Sequence, residues 1–279
     1  MQLHRPTILN KAAKKLASPL SFVAGSKWLR TPFRVVDAYL NFLVGKGSGT
    51  GWDLSLEVNS ALSRVYSESP VLFDIGANLG LWSKAVLEAV PRARLFLFEP
   101  SPGCQAEIRR QALPYEALIP AAVGRKPGRA SLHFSSPIDG SASLYQRGDS
   151  YFRDRAYDSI EVEVVTIDSM IEQHRLEFID FIKMDIEGNE LEALLGAETA
   201  LAGRRIGALA FEFGSSNINS RTFFRDFWSL LTARGFALSR ITPSGRLLPI
   251  TAYYEDCEYF RGATNYLAEL KDHPRRKAR

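Results

Sequence analysis

The chain has 279 residues, 46% of them hydrophobic and 24% charged. That is enough to bury a full core in one large domain, and it argues against a disordered or fibrous protein. The only two cysteines, Cys104 and Cys257, lack CxxC spacing, so neither a disulfide framework nor a zinc site is expected, which suits a reducing, cytoplasmic setting. The net charge of +4 hides an asymmetry. Residues 1–36 carry seven Lys/Arg (Arg5, Lys11, Lys14, Lys15, Lys27, Arg30, Arg34) and no acid, and the tail from Lys271 adds a net +4, which leaves the body at −7. A nucleic-acid groove needs its basic residues in the folded body, so no nucleic-acid partner is expected. The basic ends read as solvated segments, or as a weak hold on an anionic substrate or membrane surface.

Residues 1–50 are predicted to form a basic, helical N-terminal extension interrupted by Pro19 and Pro32 and ending in the linker-like "GKGSGTGWD". Its apolar runs are too broken for a membrane span of about 20 residues, and Ser18–Gly25 lacks a clean signal-peptide cleavage site. Residues 51–270 form the main domain, and 271–279 a basic tail. After a helical stretch in "DLSLEVNSALSRVY", strands and helices alternate. Strands are expected at Val71–Ile75, Arg94–Phe98 and Ala117–Val123, with helices at Leu81–Ala89 and Pro102–Leu113 between them. "RASLHF" and "IEVEVVTI" alternate like edge strands around the Ser/Gly/Asp-rich "SSPIDGSASLYQRGDS", a hairpin loop or a lid contributing Ser141 or Ser143. Strand "FIDFIKMDI", helix "EGNELEALLGAETAL", strand "IGALAFEF", helix Arg221–Arg234 and strand "FALSRI" follow, and "YFRGATNYLAEL" adds a last strand. His133 reads as a packing or surface residue on its strand, and His174 as an exposed turn residue.

This alternation implies an α/β fold with a doubly wound, mostly parallel sheet. The right-handed crossover rule places all the strand C-termini on one edge, where ligands of such sheets bind. Asp74, Glu99, Asp185 and Glu212 all fall at or just past strand ends. The loop Asp74-Ile75-Gly76-Ala77-Asn78-Leu79-Gly80 is neither a P-loop nor G-x-G-x-x-G. Its glycines let a ligand approach backbone at a helix start, while Asp74 repels a pyrophosphate and suits a cation. Glu99 can accept both hydroxyls of a ribose. A cationic nucleoside, S-adenosylmethionine, meets both conditions.

"LFDIGANLGLWS", "FEPSP", "AAVG", "VTIDS" and "FIKMDIEGNELEALLGA" stand in the order and spacing of the FkbM family of S-adenosylmethionine-dependent methyltransferases. The chain resembles that family over roughly Val71 to Phe213, about half its length. The resemblance implies a Rossmann-like class I methyltransferase fold. It implies that Asp74, Gly76, Ala77, Asn78 and Gly80 surround the methionine part of the cofactor. Glu99, with Pro100 and Ser101 shaping its turn, would clamp the ribose, and Ala121 and Ala122 would flank the adenine. It places Asp185 where methyl meets acceptor, and it implies O-methylation of a sugar, glycan or other hydroxylated metabolite. A neutral alcohol needs a base, for which Asp185 is the first choice, then Glu212 or Glu187. The same acids are alternatively ligands for a divalent cation. Two competing readings are a nucleotide-dependent oxidoreductase and a non-catalytic adenosyl-ligand-binding protein. Glu187 and Glu190 can equally serve the helix dipole, since both open the following helix.

Overall fold

The computed structural model describes residues 12, 14–18, 21, 26–49, 53–148 and 154–274. Arg5, Lys11, the linker residues 50–52 and the basic residues of 275–279 lie outside them. In chain order the elements begin with helices α1 (Lys27–Leu43) and α2 (Leu54–Leu62). Strand β1 (Val71–Ile75), helix α3 (Leu81–Ala89), strand β2 (Arg94–Phe98) and helix α4 (Pro102–Arg110) follow, then β3 (Ala117–Ile119), β4 (Ala121–Val123), β5 (Gly128–Phe134) and β6 (Asp158–Val165). The second half contains α5 (Ile167–Gln173), β7 (Ile179–Met184), α6 (Glu190–Leu195), α7 (Glu198–Ala202), β8 (Ile206–Gly214), α8 (Ser216–Ser220) and α9 (Phe224–Ala233). It closes with β9 (Phe236–Ile241), β10 (Leu247–Ile250) and β11 (Ala263–Leu270).

The main sheet has the order β10-β9-β11-β8-β7-β1-β2-β3. Strands β3, β2, β1, β7 and β8 pair in parallel, and β11 enters antiparallel between β8 and β9. The fold is thus the expected Rossmann-like α/β architecture, with one late strand inserted against the grain. Strands β1 and β7 are buried along their whole lengths, as near-continuous apolar runs covered on both faces must be. Alternation splits their side chains between two cores. Phe73, Ile75, Ile182 and Met184 join the core beneath α5–α7 and α9. Leu72 and Phe181, joined by Ala208 and Ala210 of β8, pack with Trp82 and Val86 of α3 and with Val58 of α2.

Strand β10 and helix α8 have no counterpart in the sequence-based expectation, and three further regions depart from it. The run 117–123 is two strands: Pro120 has no N–H for the ladder, so β3 ends the main sheet and β4 pairs with β6 in a second, three-stranded sheet. The helix expected through residue 203 breaks at Gly196 and Ala197 into α6 and α7. The part of the glycine-rich stretch at 45–49 is docked on the domain. Lys46 is buried and donates to the Asp256 carbonyl at 2.8 Å, and Gly49 N–H donates to Ala263 O at 2.9 Å. The "TIDS" segment is a fold clamp. Thr166 and Ser169 form a reciprocal cap on α5, and the Asp168 carboxylate accepts from Thr199 and Ala200 N–H to cap α7.

Candidate active site

The strand order reverses direction between β1 and β7, and the crevice at that switch point is where ligands of such sheets sit. The loop after β1 turns through Gly76 (φ +81°) and Asn78 (φ +48°) before α3 starts at Leu81. A side chain at Gly76 would overlap the carbonyl oxygen of Asp185, so this glycine is needed first for two loops to pass each other and only second to admit a ligand. A side chain at Gly80 would meet Ile108 and Leu113, a packing position away from the crevice.

A cleft opens here, lined by the ends of β1, β2 and β4 and by the loop after β7. Gly76, Asn78, Glu99 and Pro100 form one wall, and Ala121, Ala122 and Leu144 an apolar one. Glu99 is buried, and its carboxylate accepts the N–H groups of Asn78 and Ser101, both at 2.8 Å. Burial pushes its pKa up to about 7 against those two hydrogen bonds. The Asp139–Leu144 segment closes the cleft. Asp139 accepts from Ser135 and Ser141, whose hydrogen bonds outweigh the effect of burial and hold its carboxyl down at about 2. Ser143 Oγ donates to Glu187 O at 2.8 Å, whereas Ser141 faces Asp139.

A second, smaller pocket lies across β7, lined by Glu57, Lys183, Asp185, Glu212 and Asn265. Asp185 lines both cavities. Register explains the pairing below it: Asp74 of β1 is the direct cross-strand partner of Lys183 of β7. The Lys183 ammonium lies 3.6 Å from Asp74 and 3.5 Å from Asp185, and donates to Gly76 O at 3.4 Å. Although burial opposes it, the pull of Asp74 and then Asp185 raises the lysine's pKa, so Lys183 is a fixed cation. Asp74 is fully buried. Ser83 Oγ donates to one of its oxygens at 2.7 Å, and the other has no hydrogen-bond partner.

The carboxylates of Glu57 and Glu212 make no hydrogen bond or ion pair among the described residues. Burial drives Glu57 to about 7 against the pull of Lys183, and drives Glu212 well up with help from Asp185 and Glu187. Glu187 lies in the left-handed region (φ +54°), followed by Gly188 (φ +106°). Glu190 is buried and ties this turn by accepting from Ile186 and Gly188 N–H. Glu187 itself pairs with the buried Arg147, which also donates to Ser215 Oγ at 3.0 Å. Among the described residues, no group of three or more His, Cys, Asp or Glu is placed to hold a metal ion.

Residues 74–238, more than half of the chain, match the family described as the methyltransferase FkbM domain. The chain belongs to the FkbM methyltransferase family. It is an S-adenosylmethionine-dependent methyltransferase, and the oxidoreductase reading falls away. The chain is 30% identical over 164 residues to the 2-O-methyltransferase NoeI of Sinorhizobium fredii, covering 54% of this chain and 67% of that protein. It is 27% identical over 138 residues to the hexuronic acid methyltransferase AglP of Haloferax volcanii, covering 48% and 52%. Among solved structures it is similar to a precorrin-6y C5,15-methyltransferase from Geobacter metallireducens at 12% identity and TM-score 0.40, covering 76% and 87%.

The cleft of this FkbM methyltransferase suits its cofactor on its own chemistry. A buried acid with lone pairs to spare lines it at Glu99, Ala121, Ala122 and Leu144 give it apolar lining, and Asp74, paired with Lys183, lies at the base of the loop. Of the residues assigned to the cofactor from sequence, Gly76, Asn78, Glu99, Pro100, Ala121 and Ala122 line the cleft. Asp74 lies under it, Ala77 is in the α3-side core, Gly80 caps α3, and Ser101 braces Glu99 through its N–H. Of the acids assigned to catalysis, Asp185 lines both cavities, Glu187 the cleft and Glu212 the second pocket. Sequence reasoning misses Lys183 and Glu57. A lone lysine in the buried run "FIKMDI" is a legible signal for the first. Glu57 carries none, because only the docking of α2 brings it in. His174 is half-buried with its ring 4.9 Å from that of Phe96, and so is not the exposed residue expected.

Proposed function

We propose that this methyltransferase transfers a methyl group to a hydroxyl of a sugar, glycan or similarly hydroxylated metabolite. One observation carries the reading: Asp185 is the shared wall between the cleft and a pocket lined by two carboxyl groups, Glu57 and Glu212, that make no hydrogen bond or ion pair among the described residues. A carboxyl group accepts hydrogen bonds when ionised and also donates one when protonated, so the second pocket suits a molecule rich in hydroxyl groups, which do both. The names of NoeI and AglP, a 2-O-methyltransferase and a hexuronic acid methyltransferase, agree with such an acceptor.

When bound, S-adenosylmethionine supplies a methyl group activated on a cationic sulfonium. The remaining work is alignment and removal of water. In this reading Glu99 holds the ribose hydroxyls, Ala121 and Ala122 the adenine, and the Gly76–Gly80 loop the methionine part, with Asp74 contributing charge from beneath. Asp185, held by Lys183, orients the acceptor hydroxyl. As the acceptor oxygen took the methyl group the cofactor would supply, with S-adenosylhomocysteine leaving, the hydroxyl proton would pass to Asp185 or to Glu212. Glu212, whose pKa burial raises, is the second candidate for that base, while Glu187, tied to Arg147, positions the turn. No step requires a metal.

The test is a labelled-methyl assay against a panel of free and polymeric saccharides, polyols and amines, with the product located by mass spectrometry. O-methylation, lost in Asp185→Asn and reduced in Glu212→Gln while S-adenosylhomocysteine still raises the melting temperature, is the expected result. Methyl on nitrogen or carbon, or an Asp185→Asn enzyme with unchanged turnover, would sink the reading.

A further inference from the structure

Helix α1 is mounted inside out. Its residues segregate cleanly when placed at helical spacing. Trp28, Val35, Val36, Tyr39, Leu40 and Leu43 fall on one half of the circumference, and Lys27, Arg30, Arg34, Asp37 and Asn41 on the other. A surface helix normally turns its apolar stripe to the core. Here no residue of α1 is buried, Trp28 is 90% exposed, and the apolar half is open along its length. An ion pair to the body comes from the polar half, and Tyr39 and Phe42 border a surface pocket beside Arg261. Asp37 pairs with Arg261, and Ala38 and Asn41 are half-covered.

The turn after α1 holds the helix in this orientation. Arg240 donates to Val44 O at 3.2 Å, the Lys46 ammonium pairs with Asp256 at 2.7 Å, and Gly47 N–H donates to Thr264 Oγ1 at 3.0 Å. Charge then discriminates between occupants. The exposed first half of α1 carries Lys27, Arg30 and Arg34 without an acid, and Lys14 and Lys15 precede it. Three neighbouring acids are engaged: Asp37 by Arg261, Asp256 by Lys46, and Glu258 by Phe224 and Arg225 N–H and the Tyr253 hydroxyl. A second copy meeting this face would bring a second row of the same cations against the first. An anionic bilayer surface satisfies both halves of the helix, burying the apolar face at headgroup depth while the basic stems reach phosphates. Among the described residues no helix is long and apolar enough to cross a membrane, so the geometry suited to α1 lies in the plane of the surface.

We infer that α1 docks this enzyme on the surface of an anionic phospholipid bilayer, with its apolar face in the headgroup layer. Gly49, six residues beyond the helix, lines the acidic pocket beside Asp185, so a short docked segment links the docking helix to that pocket. The docking itself does not depend on what the acceptor is.

Co-sedimentation of the full chain with vesicles tests it, comparing about 30% phosphatidylglycerol in phosphatidylcholine with phosphatidylcholine alone. Sedimentation velocity without lipid reports self-association. Binding at least tenfold tighter to the anionic vesicles, weakened by salt as exposed charge contacts are, is expected. Leu40→Glu/Leu43→Glu should lose at least tenfold of that binding, and Arg30→Glu/Arg34→Glu should lose most of the preference for anionic lipid. Both variants should keep the melting-temperature rise with S-adenosylhomocysteine, which shows that the fold and cofactor cleft survive. Three results would overturn the inference: no vesicle binding by the full chain, equal binding to neutral vesicles, or a dimer in solution that Leu40→Glu/Leu43→Glu splits.

Discussion

Lys183→Met removes the only cation between two acids while keeping a side chain of similar length. Asp74 is fully buried and its charge has one hydroxyl donor, Ser83, besides the lysine 3.6 Å away. Two unit charges at that distance attract by about 4–5 kcal/mol at an effective dielectric constant of about 20, and stranding one member of a buried pair costs about 3–5 kcal/mol. The Asp185 side chain is 44% exposed, so its share is screened and adds little. We therefore expect Lys183→Met to lose about 3 kcal/mol of unfolding free energy, a large part of the roughly 5–15 kcal/mol typical of a domain. Urea denaturation at pH 7.5 measures it, with Asp74→Asn and the double variant completing a cycle. Removing both charges should recover at least half of the loss, because the cost lies in the stranded charge and not in the missing contact. A Lys183→Met protein within about 0.5 kcal/mol of wild type, or a double variant less stable than the single one, would refute the account.

The buried acids set a pH dependence. Glu57, Glu99 and Glu190 are each pushed up to about 7 by burial, from 4.5. A folded pKa above the unfolded one means that their contribution is fully present below about pH 4.5 and is lost as pH rises through 7. The ligand-free enzyme should therefore melt lower at pH 8 than at pH 5.5 by differential scanning calorimetry. Glu99→Gln should flatten the slope, and a melting temperature that climbs across this range contradicts the reading. Gly76→Ala should destabilise the enzyme by more than the roughly 1–2 kcal/mol of left-handed strain, because its methyl also meets Asp185 O. A Gly76→Ala variant of wild-type stability by urea titration would show that the two loops separate freely. Glu57→Gln should raise the KM for the acceptor several-fold while leaving S-adenosylhomocysteine affinity, read by calorimetry, within about twofold. A change in cofactor affinity alone would move Glu57 out of the acceptor pocket.

Local patterns carried much of this protein by themselves. The apolar runs at Val71–Ile75 and Ile179–Met184, the helices between strands, and the acids at strand ends are written within a few residues of one another. Turn glycines, periodicity and the crossover rule convert them into one sheet with one ligand-bearing edge. That sufficed to place Glu99 and Asp185 at the crevice. Lateral neighbours are another matter, since nothing within β1 or β7 states their register. Only the packed sheet sets Asp74 opposite Lys183 and Glu212 opposite Asn265, and so makes Lys183 the fixed cation of the site. Packing also gave Gly76 its main reason, the passage of the Asp185 loop, and brought Glu57 from a helix outside the 74–238 family match. Each of these contacts joins residues scores of positions apart, where their energy depends on distances that no short stretch of chain encodes.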